Sequence, residues 1–277
     1  MDAVPIWFFL LSAGLFGLLF GSLANVIIWR VPRGESIIAP GSHCPSCESA
    51  IRWYDNIPVI SWVILGARCR ECGVRISARY PIVEAASGLL WLVAAATWGM
   101  SIQTLFGIGL FYLLLVLTLI DLDHMRLPNS IVAALGVIGV VGVTVAQVTG
   151  EPAVPLFVGR GLLDTPLAYA VSGVLVGGGI SVAMAGSYAL IRKSAGLGMG
   201  DIKLLAVLGL YFGPYVLMVL MIASLLGAVV GVVALRRQSG SARARIPFGP
   251  FLAAGALVVA LWGPLVLDWY LRLAGVR

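Results

Sequence analysis

The sequence predicts an all-α polytopic membrane protein of about eight transmembrane helices with one small polar insertion. Three observations predict it. The chain of 277 residues is 60% hydrophobic and 11% charged, where a soluble domain carries about 25% charged residues. Apolar runs of helix-spanning length follow one another along most of the chain. One stretch, 31–82, breaks that pattern and holds all four cysteines.

The elements follow in order. Residues 5–29 carry no acidic or basic side chain. At roughly 25 residues this run is too long for a cleaved signal core of about 7–15, and it reads as a retained first span. Residues 31–82 contain Glu35, Glu48, Asp55 and Glu71, one histidine (His43) and the arginines 33, 52, 68, 70, 75 and 79. An insertion of about 50 residues sits near the limit at which a metal or disulfides are needed for stability. Further apolar runs follow at 83–100, 103–121, 130–149, 166–191, 202–214, 216–235 and 248–270. The run 202–214 is short for a crossing, which takes about 20 residues, and it stops at Gly213-Pro214.

The formal charge of +6 raises a nucleic-acid partner, but the cations cluster in short loops between apolar runs. The expected partner is the lipid bilayer and not nucleic acid. With the N-terminus outside, 15 of the 18 Lys and Arg residues fall inside and only Arg160, Arg272 and Arg277 fall outside. That asymmetry places the cysteine insertion in the cytoplasm. Asp121 and Asp201 then fall on the same, cytoplasmic, side.

Cys44-Pro45-Ser46-Cys47 and Cys69-Arg70-Glu71-Cys72 are two CxxC knuckles separated by 21 residues. Four thiolates so spaced can close a tetrahedral structural Zn²⁺ site. A cytoplasmic location disfavours disulfides. Glycines at 41, 66 and 73 suit tight knuckle turns. His43 adjoins Cys44; an exposed loop histidine is expected there in preference to a ligand.

Asp121 ends an apolar run, and Pro128 follows seven residues on, so a turn lies just past the aspartate. Asp123, two positions later, falls on another helix face. Asp201 follows Gly196-Leu197-Gly198-Met199-Gly200, whose glycines allow unusual angles and close approach, and it stands near the start of the next helix. Ionisable groups at the edge of a span mark function. Two carboxylates sharing a site divide one proton, which gives a base to activate water and an acid to protonate a leaving amine. Taken singly, Asp201 also reads as a helix cap, and Asp121 with Asp123 as interfacial residues. Lys203 acts on a neighbouring carboxylate or substrate, or serves as a positive-inside anchor.

These motifs resemble the type IV prepilin peptidases, bifunctional leader peptidase/N-methyltransferases of the GxGD aspartyl protease type. The resemblance covers nearly the whole chain: Gly21-Ser22-Leu23-Ala24-Asn25-Val26, Arg30-Val31-Pro32, both knuckles, Asp55-Asn56-Ile57-Pro58-Val59-Ile60-Ser61-Trp62, Ile76-Ser77-Ala78-Arg79-Tyr80-Pro81 with Glu84, the two aspartate motifs and Pro247-Phe248-Gly249-Pro250-Phe251. It implies that Asp121 and Asp201 are catalytic and that Asp123, Gly198, Gly200 and Lys203 are accessory. The substrate would be a prepilin or pseudopilin with a basic leader, cut after the leader glycine at the cytoplasmic face of the bacterial inner membrane. The new N-terminus would be methylated from S-adenosylmethionine. Asn25, Asp55, Asn56, Arg79 and Glu84 become candidates to hold the methyl donor or the amine; an Arg79–Glu84 salt bridge is the plainer alternative. The implied domains are a first span (1–30), a cytoplasmic zinc module associated with methyl transfer (31–82) and a GxGD peptidase membrane domain (83–277). Two competing readings are a peptidase that no longer methylates and an ion-coupled transporter using the paired aspartates.

Overall fold

The computed structural model describes residues 5–154, 164–192, 198–237 and 246–273. It divides into two compact units, Met1–Met100 and Ser101–Arg277. Gly196 and Leu197 of the glycine turn, and the cations Arg160, Lys193, Arg243, Arg245 and Arg277, lie outside the described residues.

In the first unit, α1 (Ile6–Arg30) packs along α3 (Arg79–Trp98). The seam is lined with small residues. A Cβ on Gly17 would lie 2.8 Å from the Gly88 Cα, and one on Gly21 would lie 2.5 Å from the Glu84 Cα. Lipid gives helices little hydrophobic reason to associate, so such close backbone contact carries the pairing. The other face of α1 leaves Trp7, Leu11, Leu15 and Leu19 exposed, as a bilayer requires. α3 begins at Arg79, four residues before the expected run. Pro81 occupies its third position, where a helix has no partner for an N–H anyway. Between these spans lie a 3₁₀ turn at Val31–Arg33, another at Trp53–Asn56, the short helix α2 (Ile60–Ile64) and two isolated bridges, His43 with Ala50 and Arg68 with Arg75.

The second unit holds α4 (Ile102–His124), α5 (Asn129–Thr149), α6 (Pro166–Arg192), α7 (Met199–Phe212), α8 (Val216–Arg237) and α9 (Gly249–Leu273). The short α7 is its centre and packs on α5, α6, α8 and α9. Leu204, Leu205, Leu208, Tyr211 and Phe212 of α7 are fully buried. The hydroxyl of Tyr211 donates to the Leu135 carbonyl at 2.7 Å, and that of Tyr169 to the Phe212 carbonyl at 2.8 Å.

Every expected apolar run forms a helix. Seven stretches among the described residues are long and apolar enough to cross a membrane, because α7 and α8 join through a 3₁₀ turn at Gly213–Tyr215 into one stretch, Met199–Arg236. Its 38 residues extend nearly twice the ~30 Å of a bilayer core at about 1.5 Å per residue. The break at Gly213 divides it. Among the described residues no strand forms, and the chain is an all-α multi-pass membrane protein.

Candidate active site and metal centre

In the second unit, α4 continues past Asp121 to His124 and stops at Met125 (φ 50°), whose N–H bonds the Asp121 carbonyl at 2.8 Å. Asp121 is only 5% exposed, whereas Asp123 sits on the exposed face. The buried carboxylate has a specific partner: the N–H of Gly249 donates to Asp121 Oδ2 at 2.9 Å. Gly249 is the first residue of α9, where an N–H has no partner inside its own helix. The positive end of α9 is thus set against Asp121. A Cβ on Gly249 would lie 2.7 Å from Asp121 Oδ2, so only glycine permits this approach.

Asp201 stands in the first turn of α7, after Gly198 at the N-cap, and its carboxylate accepts the Gly198 N–H. This is the reciprocal half of a capping box. Gly198 has φ −67° and ψ 142°, so its smallness serves proximity and not an unusual angle. A Cβ there would come 3.0 Å from Asp201 Oδ2. The two carboxylates lie within electrostatic reach of each other. Leu127 joins their supports, since Cβ atoms on Gly200 and Gly249 would meet it at 3.1 Å and 3.2 Å. Lys203 is exposed, and its ammonium donates to Asn129 Oδ1 at 3.0 Å, tying α7 to the start of α5.

In the first unit, the four cysteine Sγ atoms all lie within 4.8 Å of one another. Cys44 Sγ and Cys72 Sγ are 3.8 Å apart. A tetrahedral thiolate site with metal–sulfur bonds of about 2.3 Å needs sulfurs roughly 3.8 Å apart. The set therefore fits a metal and is far from disulfide length. The two knuckles repeat one backbone pattern. The N–H of Cys44 bonds the Ser49 carbonyl, and the Glu48 N–H bonds the Cys44 carbonyl. The N–H of Cys69 bonds the Val74 carbonyl, and the Gly73 N–H bonds the Cys69 carbonyl. The fifth residue of each turn has positive φ, 57° at Glu48 and 70° at Gly73. The Ser49 hydroxyl, 2.8 Å from Cys47 Sγ, lowers the pKa of that thiol, while burial and the neighbouring sulfurs raise that of Cys72. His43 is exposed and its Nδ1 lies 3.1 Å from the Gly41 carbonyl, outside the sulfur cluster.

The five methyl-transfer candidates occupy different settings. Asp55 accepts two N–H groups from Arg70, inside the second knuckle, and this guanidinium holds its carboxyl below the usual carboxylate range. Asn56 and Arg79 are exposed. Asn25 Nδ2 donates to the Tyr80 carbonyl at 3.2 Å. Glu84 is 8% exposed and accepts the Val59 N–H at 2.7 Å and the Ser22 hydroxyl. The Arg79–Glu84 bridge does not form. Among the described residues no cationic side chain pairs with Glu84.

Residues 15–98 match the model of the bacterial peptidase A24 N-terminal domain, and residues 108–232 match that of the type IV leader peptidase family. A protein of Stutzerimonas stutzeri described as a prepilin leader peptidase/N-methyltransferase is 35% identical, over 96% of this chain and 95% of its own length. The chain belongs to the type IV leader peptidase family. Proteins of the same description from Pseudomonas putida, 34% identical over 97% of this chain and 96% of their own length, and from Legionella pneumophila, 32% identical over 96% and 95%, extend the likeness along the whole chain. No solved structure matches.

In this peptidase family member, Gly249 and Leu127 are the supports that reasoning from the sequence missed. The Pro247–Phe251 motif had singled out the neighbourhood without giving it a role. A donating backbone N–H leaves no letter in a sequence beyond the glycine that makes room for it.

Proposed function

We propose that the chain removes the leader from prepilins or pseudopilins and then N-methylates the new N-terminus. The observation that carries the first activity is that Asp121, facing the N-terminus of α9, and Asp201, in the first turn of α7, lie within electrostatic reach of each other. One ionised carboxylate takes a proton from water as it attacks the scissile carbonyl. The protonated partner gives its proton to the leaving nitrogen. The Gly249 and Gly198 N–H groups hold the carboxylates in place, so neither must be oriented at the moment of reaction. Lys203, Gly198 and Gly200 are accessory: the first ties helices together and the glycines leave room for Asp201 and Leu127. Asp123, on the exposed face, is assigned to contact with substrate. The catalytic face is cytoplasmic, on the inner membrane, as the cation asymmetry supports.

The second activity is assigned to the first unit. Its four thiolates suit a structural Zn²⁺, which closes the site and leaves the ion no open position. S-adenosylmethionine, when bound, supplies an electrophilic methyl on a sulfonium. The exposed candidates fit it: Arg79 suits its carboxylate, and Asn56 beside Asp55 suits its amine or ribose hydroxyls. The transporter reading has no support from relatives that match along the whole chain.

The test is incubation with a prepilin and S-adenosylmethionine, read by mass spectrometry. We expect loss of the leader and gain of one methyl. In Asp121→Asn and Asp201→Asn, leader cleavage should fall by about 100-fold or more, with a pre-cleaved substrate still methylated. Undiminished cleavage in either variant would refute the carboxylate assignment.

A further inference from the structure

The segment between Asn56 and α2 makes an unusual turn. Val59 has φ 62° and ψ −49°, and the Ile60 N–H donates to the Pro58 carbonyl at 2.6 Å. This is a γ-turn of the rare, high-energy hand. Its central residue is β-branched, the class for which positive φ is hardest to sustain. Such an outlier persists only where the surroundings over-determine it, and it tends to mark function.

What holds it is visible. The Val59 N–H donates to the buried, cation-free carboxylate of Glu84 on α3. Ser61, just beyond the turn and buried, accepts the Ile57 N–H at 3.0 Å and donates to the Tyr54 carbonyl at 2.9 Å. The turn therefore folds α2 back on Trp53–Asn56, the loop that carries Asp55 and Asn56. Asp55 in turn grips Arg70 between Cys69 and Cys72. A continuous chain of bonds runs from the membrane helix α3 to the second knuckle, and Glu84 is its membrane end.

We propose that Glu84 is a positioning residue for methyl transfer: it holds the Pro58–Val59–Ile60 turn in its high-energy form and so sets Asp55 and Asn56 relative to Arg79. This rests on the assignment of methyl transfer to the first unit. It gives Glu84 a mechanical role and not a place in contact with the methyl donor.

The test separates a mechanical role from a chemical one. Glu84→Ala removes the acceptor, Glu84→Gln keeps an acceptor but removes the charge, and Val59→Gly removes the steric cost of positive φ. In full-length enzyme in nanodiscs we expect Glu84→Ala to lose tenfold or more in methyl transfer, with leader cleavage retained and unchanged protease resistance of residues 34–78 reporting that the first unit stays folded. Glu84→Gln should keep most of the activity. The double variant Val59→Gly/Glu84→Ala should recover at least half of what Glu84→Ala loses, since glycine sustains the turn unaided. Hydrogen exchange gives a readout independent of the methyl donor: the Val59 amide should exchange at least tenfold faster in Glu84→Ala and near the parent rate in Glu84→Gln. Equal loss in Glu84→Gln and Glu84→Ala with no recovery in the double variant would show that Glu84 acts by its charge, and would overturn the proposal. So would a Val59 amide indifferent to Glu84→Ala. A parent enzyme that never methylates, with the exchange pattern as expected, would overturn the methyl-transfer assignment and leave the turn assignment standing.

Discussion

At the scale of residues, peptidase chemistry depends on atoms that the sequence does not spell. Asp121 and Asp201 were legible, because a carboxylate at the end of an apolar run is costly and is kept for a reason. Gly249 was legible only as part of a motif. Its function is to bring an unpartnered helix N–H to 2.9 Å from Asp121 Oδ2. Gly249→Ala is therefore the informative substitution. The new methyl would lie 2.7 Å from that oxygen and 3.2 Å from Leu127 Cδ2. Either the carboxylate or the start of α9 must move, and the hydrogen bond is lost in both cases. We expect leader cleavage to fall by about 100-fold, comparable to removal of a general acid or base, with helix content unchanged by circular dichroism. Full activity in Gly249→Ala would show that the α9 N–H is dispensable.

At the scale of elements, the position of Asp201 is set by how closely α7 packs on α6. Apolar runs in the sequence located both helices, but they did not show their contact, since glycines are common in transmembrane helices whether or not they pack. The glycines on this interface differ in what surrounds them. A Cβ on Gly209 would lie 2.3 Å from the Gly173 carbonyl carbon, and one on Gly173 would lie 2.1 Å from the Gly209 carbonyl oxygen. Gly179, on the same α6, has nothing within 4 Å of a Cβ. Backbone cannot yield as a flexible side chain does, so Gly209→Ala should cost about 3 kcal/mol, the upper end for overpacking. Gly179→Ala should be neutral or stabilising by up to about 1 kcal/mol, from the helix preference alone. Denaturation in mixed micelles measures both. Cleavage should follow stability, because moving α7 moves Asp201. Equal effects at the two positions would mean that α6 and α7 are not in backbone contact. The four cysteines singled out by the paired CxxC spacing do come together, their sulfurs within 4.8 Å of one another, because that spacing suits a metal site. The bonds from Asp55 to Arg70 and from Val59 to Glu84 join residues far apart in the chain, and no local pattern announces them.

At the scale of the whole molecule, the two units differ in what holds them. Of residues 34–78 only Cys44, Pro58 and Ser61 are buried, while Ile38, Trp53 and Ile64 are exposed. A segment with so little core calls for a metal such as its four cysteines could hold, and structural sites of this type contribute on the order of 10 kcal/mol to folding. The two carboxylates proposed to cut the leader draw their supports from Gly249, Leu127 and Gly198, all within Ser101–Arg277. Metal removal should therefore separate the activities. After chelation, or in Cys44→Ser/Cys72→Ser, we expect residues 34–78 to become sensitive to protease and methyl transfer to fall below a tenth of the parent rate. Leader cleavage should stay within about threefold, because Gly249, Leu127 and Gly198, the groups named above that hold Asp121 and Asp201, lie outside residues 34–78. Both products can be counted in one mass spectrum of the same reaction. If cleavage falls in step with methylation, the knuckles serve the peptidase as well, and prepilin recognition becomes the function to seek on their surface. If neither activity falls while the thiols are shown to be metal-free, the sulfur cluster is not what holds the insertion together, and the chain of bonds from Glu84 to Arg70 must suffice without it.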